Sequence, residues 1–455
     1  MMRTETVPET LVEEFARFAC SLSLERIPAK VVEKAKRCLL HNLACGAAGY
    51  EWVEEARAIA TCDGLTSGRG ATLWVEGTRL PAKEAAFANA AATHARAQDD
   101  EHYRSRMHLG TLLVPSAIAL AERQHCGGST LITSLVVGYE VGACAGQPFA
   151  DQTARRGFRT TTVYGILAVA ATSAKLLGLD ERQTAHAIGL AANLASGLGQ
   201  CWIDGSTEWR MHAGLVARNG ILAAEMAAHG ATAARTTLEG QLGFFHAYAG
   251  VDEGVRELTT GLGSTWEIEQ VIFKPHPVCS FTMTPAAVAC RMAQDLGLSP
   301  ESIASVKVRL TPAEAFFPGI DKRGPFSGIG ATVVSAQFCV AVALRDRAIR
   351  MTALHEFDDP VLLRLVEATT VERDPKLGPL TCEIEIALRD GTVHVARSEP
   401  EDSRYNWDWS AAASMARSLF SESPLPAGSC DRLLDAIVGL ESESTVAPLI
   451  EPLVL

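Results

Sequence analysis

The sequence has no C-x-x-C pair among its 12 cysteines and no H-E-x-x-H motif. Its N-terminus lacks the apolar segment of a secretory signal, and no stretch has the long uncharged apolar run that a bilayer requires. Neither a disulfide framework, nor one of the usual zinc motifs, nor a membrane protein is indicated. We therefore expect reduced cysteines and a cytoplasmic protein.

Positive charge is also scarce, because 41 lysines and arginines stand against 53 aspartates and glutamates, which gives a formal net charge of -12. This balance disfavours nucleic acid and membranes as partners, but it leaves room for a local cationic pocket that binds a small anion. Hydrophobic residues make up 47% of the chain and charged residues 21%, as in compact globular proteins. A length of 455 residues favours two domains.

The hydrophobic spacing changes along the chain near Trp266. Before this point it is mainly helical, whereas the segments 302–310 and 380–396 alternate apolar and polar residues as strands do. Helical spacing returns after Pro400. We predict a mainly α fold, in which a large all-helical domain is interrupted by a smaller α+β lid domain before the C-terminal helices. The predicted limits are 1–265 plus 401–455 for the helical domain and 266–400 for the lid.

A charged segment between two apolar, helix-forming stretches is the strongest candidate for an active-site loop. Buried acids and imidazoles cost desolvation free energy unless they are paired, so such a segment is typical of a functional site. A solvated loop between helices is the alternative. The segment contributes Asp99, Asp100, Glu101, His102 and His108.

Three further segments carry side chains that could bind a carboxylate. A helix start rich in small residues favours an anion through its backbone amides, and prolines would hold a lysine in one orientation. Each signal is weak alone, because such residues are more often helix caps or members of surface ion pairs. The residues are Arg159; Arg210 and His212; and Lys274, His276 and Cys279.

In order along the chain, QDDEH, MHLGTLLVPSAIALAE, GYEVGA, RGFRTTTVYG, RMHAG and FKPHPVC resemble the MmgE/PrpD family from about residue 10 to about residue 400. The family includes 2-methylcitrate dehydratases, cis-aconitate decarboxylases and an iminodisuccinate epimerase. The resemblance implies a homodimer with a helical domain and an α+β lid, which needs no metal or other cofactor.

The resemblance also assigns roles to individual residues. His108 matches the histidine implicated in proton transfer beside a carboxylate, and Lys274 matches the lysine before the first lid helix. Three positions depart from the family pattern: Ala97 replaces an acid, Arg159 a histidine and Trp209 a lysine. Trp209 would favour a less charged or flatter ligand.

These observations together predict a metal-independent lyase, a dehydratase or a decarboxylase, that acts on a small carboxylic acid. Abstracting a proton beside a carboxylate needs a base and preorganised cations at the carboxylate oxygens. The predicted catalytic residues are His108, Lys274 and Asp100, and either Asp99 or Asp100 would orient an imidazole. The predicted substrate-binding residues are Asp99, Glu101, His102, Arg159, Trp209, Arg210, His212, His276 and Cys279.

Three alternatives remain open from the sequence. The first is an epimerase or isomerase of a dicarboxylate-like substrate, and the second is a ligand-binding homologue that has lost catalysis. The third is a hydrolase with a metal held by residues of the charged segment, although no recognised ligand spacing supports it. In the leading hypothesis the site lies between the two domains, with His108 on one side and Lys274 on the other.

Overall fold

The chain folds mainly into α-helices, as its hydrophobic spacing predicts. The structure is a computed structural model that describes residues 8–62, 69–251, 253–398 and 405–455. The helices of the first part are α1 (Leu11–Ser21), α2 (Ala29–Gly49), α3 (Glu54–Thr61), α4 (Ala82–His94), α5 (Leu109–Gln124), α6 (Gly128–Gly146), α7 (Ala150–Arg155), α8 (Thr160–Leu176), α9 (Glu181–Ala192), α10 (Gln200–Asp204), α11 (Glu208–Ala228) and α12 (Phe244–Ala249). Its short strands are β1 (Ala71–Thr72), β2 (Arg79–Leu80) and β3 (Glu101–His102).

The later part of the chain mixes helices with one four-stranded sheet. Its strands are β4 (Val271–Ile272), β5 (Ile303–Leu310), β6 (Thr369–Arg373), β7 (Glu383–Leu388) and β8 (Val393–Arg397). Its helices are α13 (Ser280–Asp295), α14 (Pro312–Ala315), α15 (Ile329–Thr332), α16 (Ala336–Asp346), α17 (Pro360–Ala368), α18 (Trp409–Ser421), α19 (Ser429–Val438) and α20 (Ala447–Ile450). The sheet order is β6-β5-β7-β8, with β5 and β6 parallel and the other pairs antiparallel.

Buried apolar side chains form two large clusters. One joins the helices of the first part to the C-terminal helices α18 and α19, and it also includes Trp266, Ile268, Val271 and Phe273. The other lies mainly between residues 272 and 405, around the four-stranded sheet. The C-terminal helices thus pack with the first part of the chain. The domain limits at 265 and 400 stay a prediction.

The second of the alternating segments forms the predicted hairpin. Strands β7 and β8 pair antiparallel, and Asp390 and Gly391 lie between them. The Thr392 amide donates to Asp390 Oδ1 at 2.9 Å, and Gly391 has a φ of 92°, which glycine adopts without a steric cost. The turn prediction is confirmed.

Helix α5 begins earlier than the sequence suggests. Pro115 is tolerated best in a first helical turn, so the pattern indicates a start at Val114, but the helix begins at Leu109 and contains Pro115 within it. Apolar residues buried from Leu109 onward extend the helix toward its N-terminus. As a consequence, His108 becomes the N-cap residue of α5.

One helical stretch of the described residues, Gly128–Arg155, is long and apolar enough to cross a membrane by length and composition. However, 83% of its most apolar window is buried inside the protein. Helix α6 makes up most of this stretch. It is buried on every side by other parts of the protein, and this burial explains why all its faces are apolar. A core helix accounts for this composition.

Gly49 marks a close approach of α2 to α4. A Cβ atom added at Gly49 would lie 1.9 Å from the backbone oxygen of Ala92, which cannot move without shifting the helix. We expect Gly49→Ala to destabilise the protein by about 1–3 kcal/mol or more, measured by chemical denaturation. Gly439→Ala is the matched control, because a Cβ there meets nothing within 4 Å. Equal stability of the two variants would contradict this packing.

Candidate active site

A cavity with a volume of about 100 Å³ lies between the helical part and the lid. The side chains that bring charge or a titratable group to it are His94, Glu101, Arg106, His108, Arg159, Lys274 and Cys279. His108 and Lys274 therefore line one cavity, as the sequence predicts, although they lie far apart in the chain.

Three helices begin at the wall of this cavity. Their N-cap residues, His108 of α5, Arg159 of α8 and Cys279 of α13, all line it, and none of the three side chains caps its own helix. The first amides of a helix have no carbonyl partner within that helix, and the helix dipole adds positive potential at this end. The cavity wall is therefore suited to an anion.

His94 and His108 both contact the carboxylate of Asp99. His94 Nδ1 lies 3.1 Å from each carboxylate oxygen, and His108 Nδ1 lies 3.2 Å from Oδ2. His108 Nδ1 also lies 3.2 Å from the backbone oxygen of Asp100. Because all these neighbours are acceptors, Nδ1 of His108 carries the proton, and Nε2 is left as its basic nitrogen.

Arg159 fixes the protonation of His94. Arg159 Nη2 lies 3.0 Å from His94 Nε2, and a guanidinium can only donate, so His94 Nε2 accepts and Nδ1 donates to Asp99. Burial lowers the pKa of His94 to about 3, against the attraction of Asp99. His94 is therefore a neutral imidazole that links a cation to an anion.

Asp99 stays ionised although it is completely buried. Burial alone would raise its pKa, but His94, His108 and Lys274 together lower the pKa of Asp99 well below its usual value. Because His94 is neutral, the carboxylate is stabilised by the N–H groups of the two histidines and by the nearby Lys274 ammonium. An ionised Asp99 in turn orients His108 and would stabilise its protonated form.

Lys274 is fully buried, and its Nζ has no hydrogen-bond partner among the described residues. An ammonium group without a partner is costly in such a place. Its position in the cavity wall means that a bound anion would supply the missing partner. This is the strongest sign of a ligand site in the structure.

The segment that leads to Lys274 is held by the helical part. The Glu140 carboxylate accepts hydrogen bonds from the amides of Glu267, at 2.9 Å, and Ile268, at 3.0 Å. Lys34 Nζ donates to the Val271 oxygen at 2.5 Å. In addition, β4 pairs antiparallel with β3. Lys274 therefore follows a strand that is anchored beside the charged segment.

Of the other predicted residues, Glu101, Arg159 and Cys279 also line the cavity. One carboxylate oxygen of Glu101, Oε2, is buried and has no partner within the described part of the chain. Burial raises the pKa of Cys279 to about 11, so its thiol stays protonated at neutral pH. These three residues are placed to contact a ligand.

Two residues of the charged segment face away from the cavity. Asp100 accepts hydrogen bonds from the Gly110 amide at 2.9 Å and from the Tyr139 hydroxyl at 2.6 Å. Asp100 touches the site only through its backbone oxygen. Of the two acids expected to orient an imidazole, Asp99 is the one whose carboxylate contacts His94 and His108. His102 contacts Ser105 and Glu267 at 2.7 and 3.1 Å. Both side chains hold the local fold.

Helix α11 begins before Trp209 and turns its predicted binding residues away from the cavity. Arg210 donates to the backbone oxygen of Trp52 at 2.9 Å. His212 lies behind Arg159, and the distance from Arg159 Nη1 to His212 Nδ1 is 3.4 Å. Trp209 packs edge-on against His94, with ring centroids 5.0 Å apart. His276 also lies outside the lining. Of these four, Trp209 and His212 support the site from behind.

Sequence reasoning did not single out His94 as a site residue. It is the last residue of α4, five positions before Asp99, at the end of an alanine-rich helix that looks like scaffold. The only available signal was a titratable residue directly before the charged segment. Trp202, which lines the cavity and lies under Arg159 at 4.9 Å, gave no signal at all.

His94, Asp99 and His108 also form a group that could hold a metal ion. Their ligand atoms lie within 4.8 Å of one another, and two imidazoles with a carboxylate suit zinc or manganese. However, Arg159 Nη2 already binds the other nitrogen of His94, and Lys274 lies in the same cavity. Two cations beside the group disfavour a third.

Comparison with known proteins identifies the family of the chain and several relatives. The MmgE/PrpD N-terminal domain matches residues 13–254, and the MmgE/PrpD C-terminal domain matches residues 276–404. The chain is 31% identical over 293 residues to the cis-aconitate decarboxylase-like protein oryM of Aspergillus oryzae, covering 61% of this chain and 60% of that one.

Two other relatives align over more of the chain. The cis-aconitate decarboxylase of Aspergillus terreus is 27% identical, over 77% of this chain and 74% of its own. The cis-aconitate decarboxylase of Homo sapiens is 26% identical, over 86% and 83%. The two domain matches cover most of the sequence, and on this basis the chain belongs to the MmgE/PrpD family.

Proposed function

We propose that this protein is a lyase that acts on a small carboxylic acid by proton transfer at the carbon beside a carboxylate. The observation that carries the proposal is the unpaired, buried Lys274 ammonium in the same cavity as the His108–Asp99 pair. One group holds an anion and the other moves a proton, which are the two requirements of this chemistry.

Decarboxylation is the form of the reaction that we favour, because the relatives named above are cis-aconitate decarboxylases or are named as like them. In this step the bond between carbon and the carboxylate breaks and CO₂ leaves. The electron pair stays on the substrate as an enolate-like anion. His108, which must enter this step protonated on both ring nitrogens, gives its Nε2 proton to form the new C–H bond and is left as the neutral imidazole. A proton from water then restores His108.

The cations and the helix starts would stabilise the charge that develops in this step. Lys274 and Arg159 lie in the cavity wall, in surroundings where burial makes their interaction with an anion stronger than it would be in water. Asp99 stabilises the protonated form of His108 through the contact at 3.2 Å. No step of this scheme requires a metal ion.

Dehydration and epimerisation share the same proton step and remain alternatives. Dehydration needs an acid for the leaving hydroxide, a role that Lys274 would fill. Epimerisation needs a second group on the opposite face of the substrate. Loss of catalysis is disfavoured by the intact pairing of His108 with Asp99, since an inactive homologue has no need of it.

The test is a screen in heavy water of unsaturated, keto and hydroxy di- and tricarboxylates, including cis-aconitate, followed by mass spectrometry. We expect loss of CO₂ with one deuterium incorporated at the carbon beside the remaining carboxylate. Loss of water, or exchange of deuterium without a change of composition, would instead identify a dehydratase or an epimerase. Binding without any deuterium uptake across the panel would contradict the proposal.

The same preparation tests the metal-independent form of the proposal. We expect activity to survive prolonged dialysis against a chelator, and elemental analysis to find no stoichiometric metal. A tightly bound metal that is lost together with activity, and that restores activity when it is added back, would assign His94, Asp99 and His108 as its ligands instead.

A further inference from the structure

Only some of the N–H donors on the cations around the cavity are free to bind a ligand. Arg106 is already paired with Asp151, at 2.8 Å. Arg159 donates to His94 Nε2 at 3.0 Å and to the backbone oxygen of Trp209 at 2.9 Å. Lys274 is the lining cation that has no partner among the described residues.

A nearby negative charge and two hydroxyl groups that already donate hydrogen bonds further limit the number of carboxylates that the cavity can bind. Glu101 lines the cavity, and its carboxylate repels any anion placed next to it. Thr160 and Thr161 also line the cavity, but both hydroxyls donate to the backbone oxygen of Arg106, at 2.8 and 3.5 Å. Their protons are therefore not free for a ligand carboxylate.

The N-termini of α5, α8 and α13 strengthen the binding of anions in the cavity, but only by a limited amount. A helix N-terminus carries roughly half an elementary charge, and at α5 the Gly110 amide already donates to the Asp100 carboxylate at 2.9 Å. Together with Lys274, these dipoles are sufficient for one or two carboxylates. A third carboxylate would have to lie elsewhere in the cavity.

Apart from Ser280, the rest of the cavity wall is apolar. A carboxylate that leaves water for such a wall loses its hydration without gaining a donor, whereas an alkyl or aromatic group gains free energy there. Phe281 and Phe317 pack against each other with ring centroids 5.0 Å apart. The apolar lining consists of Phe158, Trp202, Phe281, Phe317, Val333 and Val334.

We infer that the substrate is a mono- or dicarboxylate with an apolar substituent and not a tricarboxylate. This inference rests on the proposed function, since it assumes that the cavity binds the reacting acid. Lys274 and the helix starts hold the carboxylate beside His108, and the aromatic wall holds the substituent. The substrate class would then differ from the one in the names of the relatives.

The test uses three acids that share a succinate skeleton and differ in the group at one carbon: succinate, 2-propylsuccinate and propane-1,2,3-tricarboxylate. Binding to the full chain is measured by isothermal titration calorimetry. We expect 2-propylsuccinate to bind about 50-fold more tightly than succinate, because it buries three more carbons. We expect the tricarboxylate to bind more weakly than succinate.

A matched pair of variants tests whether the aromatic wall is responsible for the preference for 2-propylsuccinate over succinate. Phe317→Ala should bring the affinity for 2-propylsuccinate down to that for succinate. Phe316→Ala should leave the difference between the two affinities as it is, because Phe316 is 63% exposed and lies outside the cavity lining. Retained succinate binding also shows that each variant is folded.

The outcomes separate this inference from the proposed function. If the tricarboxylate binds as tightly as 2-propylsuccinate, or if Phe317→Ala leaves the preference intact, the substrate class is wrong while the proton-transfer chemistry stands. If none of the three acids binds in the millimolar range, the carboxylate site itself is wrong, and both proposals fall.

Discussion

Replacing His108 with asparagine is expected to lower turnover by about 100- to 10,000-fold, the loss typical of a single proton-transfer group. Asparagine can still donate to the acceptors that face His108 Nδ1, Asp99 Oδ2 and the Asp100 oxygen, but it cannot carry a proton to and from carbon. Lys274 remains to bind the carboxylate, so affinity should fall much less than rate. Steady-state kinetics and calorimetry measure the two effects separately.

His102→Asn is the matched control for this variant. His102 belongs to the same charged segment and is also buried, but it contacts Ser105 and Glu267 and does not line the cavity. We expect this variant to lose stability and to keep most of its activity. Unchanged deuterium uptake in a folded His108→Asn protein would remove His108 from the mechanism, and the proton would then have to come from Lys274.

Lys274→Met should weaken carboxylate binding and stabilise the unliganded protein at the same time. Removing the charge that faces a buried anion typically costs about 2–5 kcal/mol, so we expect affinity for succinate to fall by about 100-fold. The unliganded protein should melt at a higher temperature, because Lys274 Nζ is buried without a hydrogen-bond partner. Removing that desolvation cost should outweigh the loss of its attraction for the Asp99 carboxylate.

The opposite sign is expected at another buried lysine. Lys34 Nζ donates to the Val271 oxygen at 2.5 Å and to Asn406 Oδ1 at 2.7 Å. Val271 is buried, so Lys34→Met removes a donor from a backbone oxygen that water does not reach and should lower the melting temperature. If Lys274→Met also lowered the melting temperature and left succinate binding unchanged, Lys274 would have a structural partner and no role in ligand binding.

Much of the fold follows from local patterns, because helical and alternating spacing are local properties of the sequence. The segment 380–396 predicted two strands and their turn, and both are present as β7 and β8. The strand β6, in contrast, is only five residues long and follows directly on α17. A strand that short has too few alternating positions to stand out from the helix before it.

The site was predictable only where a motif marked it. His108 and Lys274 were found because they lie in motifs with recognisable neighbours, and both line the cavity. His94 and Trp202 were missed because their roles depend on Arg159, at 3.0 Å from His94 Nε2 and 4.9 Å above the Trp202 ring. Contacts between residues so far apart in sequence arise from packing.

Arg210 shows the converse case. Its position near a helix start predicted a carboxylate cradle, but the rotation of α11 in the core decides which way the side chain points. Arg210 turns to the Trp52 oxygen, and burial lowers its pKa to about 10. A helix start seen in the sequence does not reveal which of its side chains faces the cavity.

The anchoring of Lys274 has a consequence for the order of events in a turnover. Glu140, Lys34 and β3 hold the chain up to Ile272 against the helical part. The charged residues of the site would therefore move together as one rigid body. A rigid-body displacement of the sheet-containing part would carry away Phe281 and Phe317 while His108, Asp99 and Lys274 stayed together. Opening would then release the apolar end of a product first, with the carboxylate as the last point of attachment.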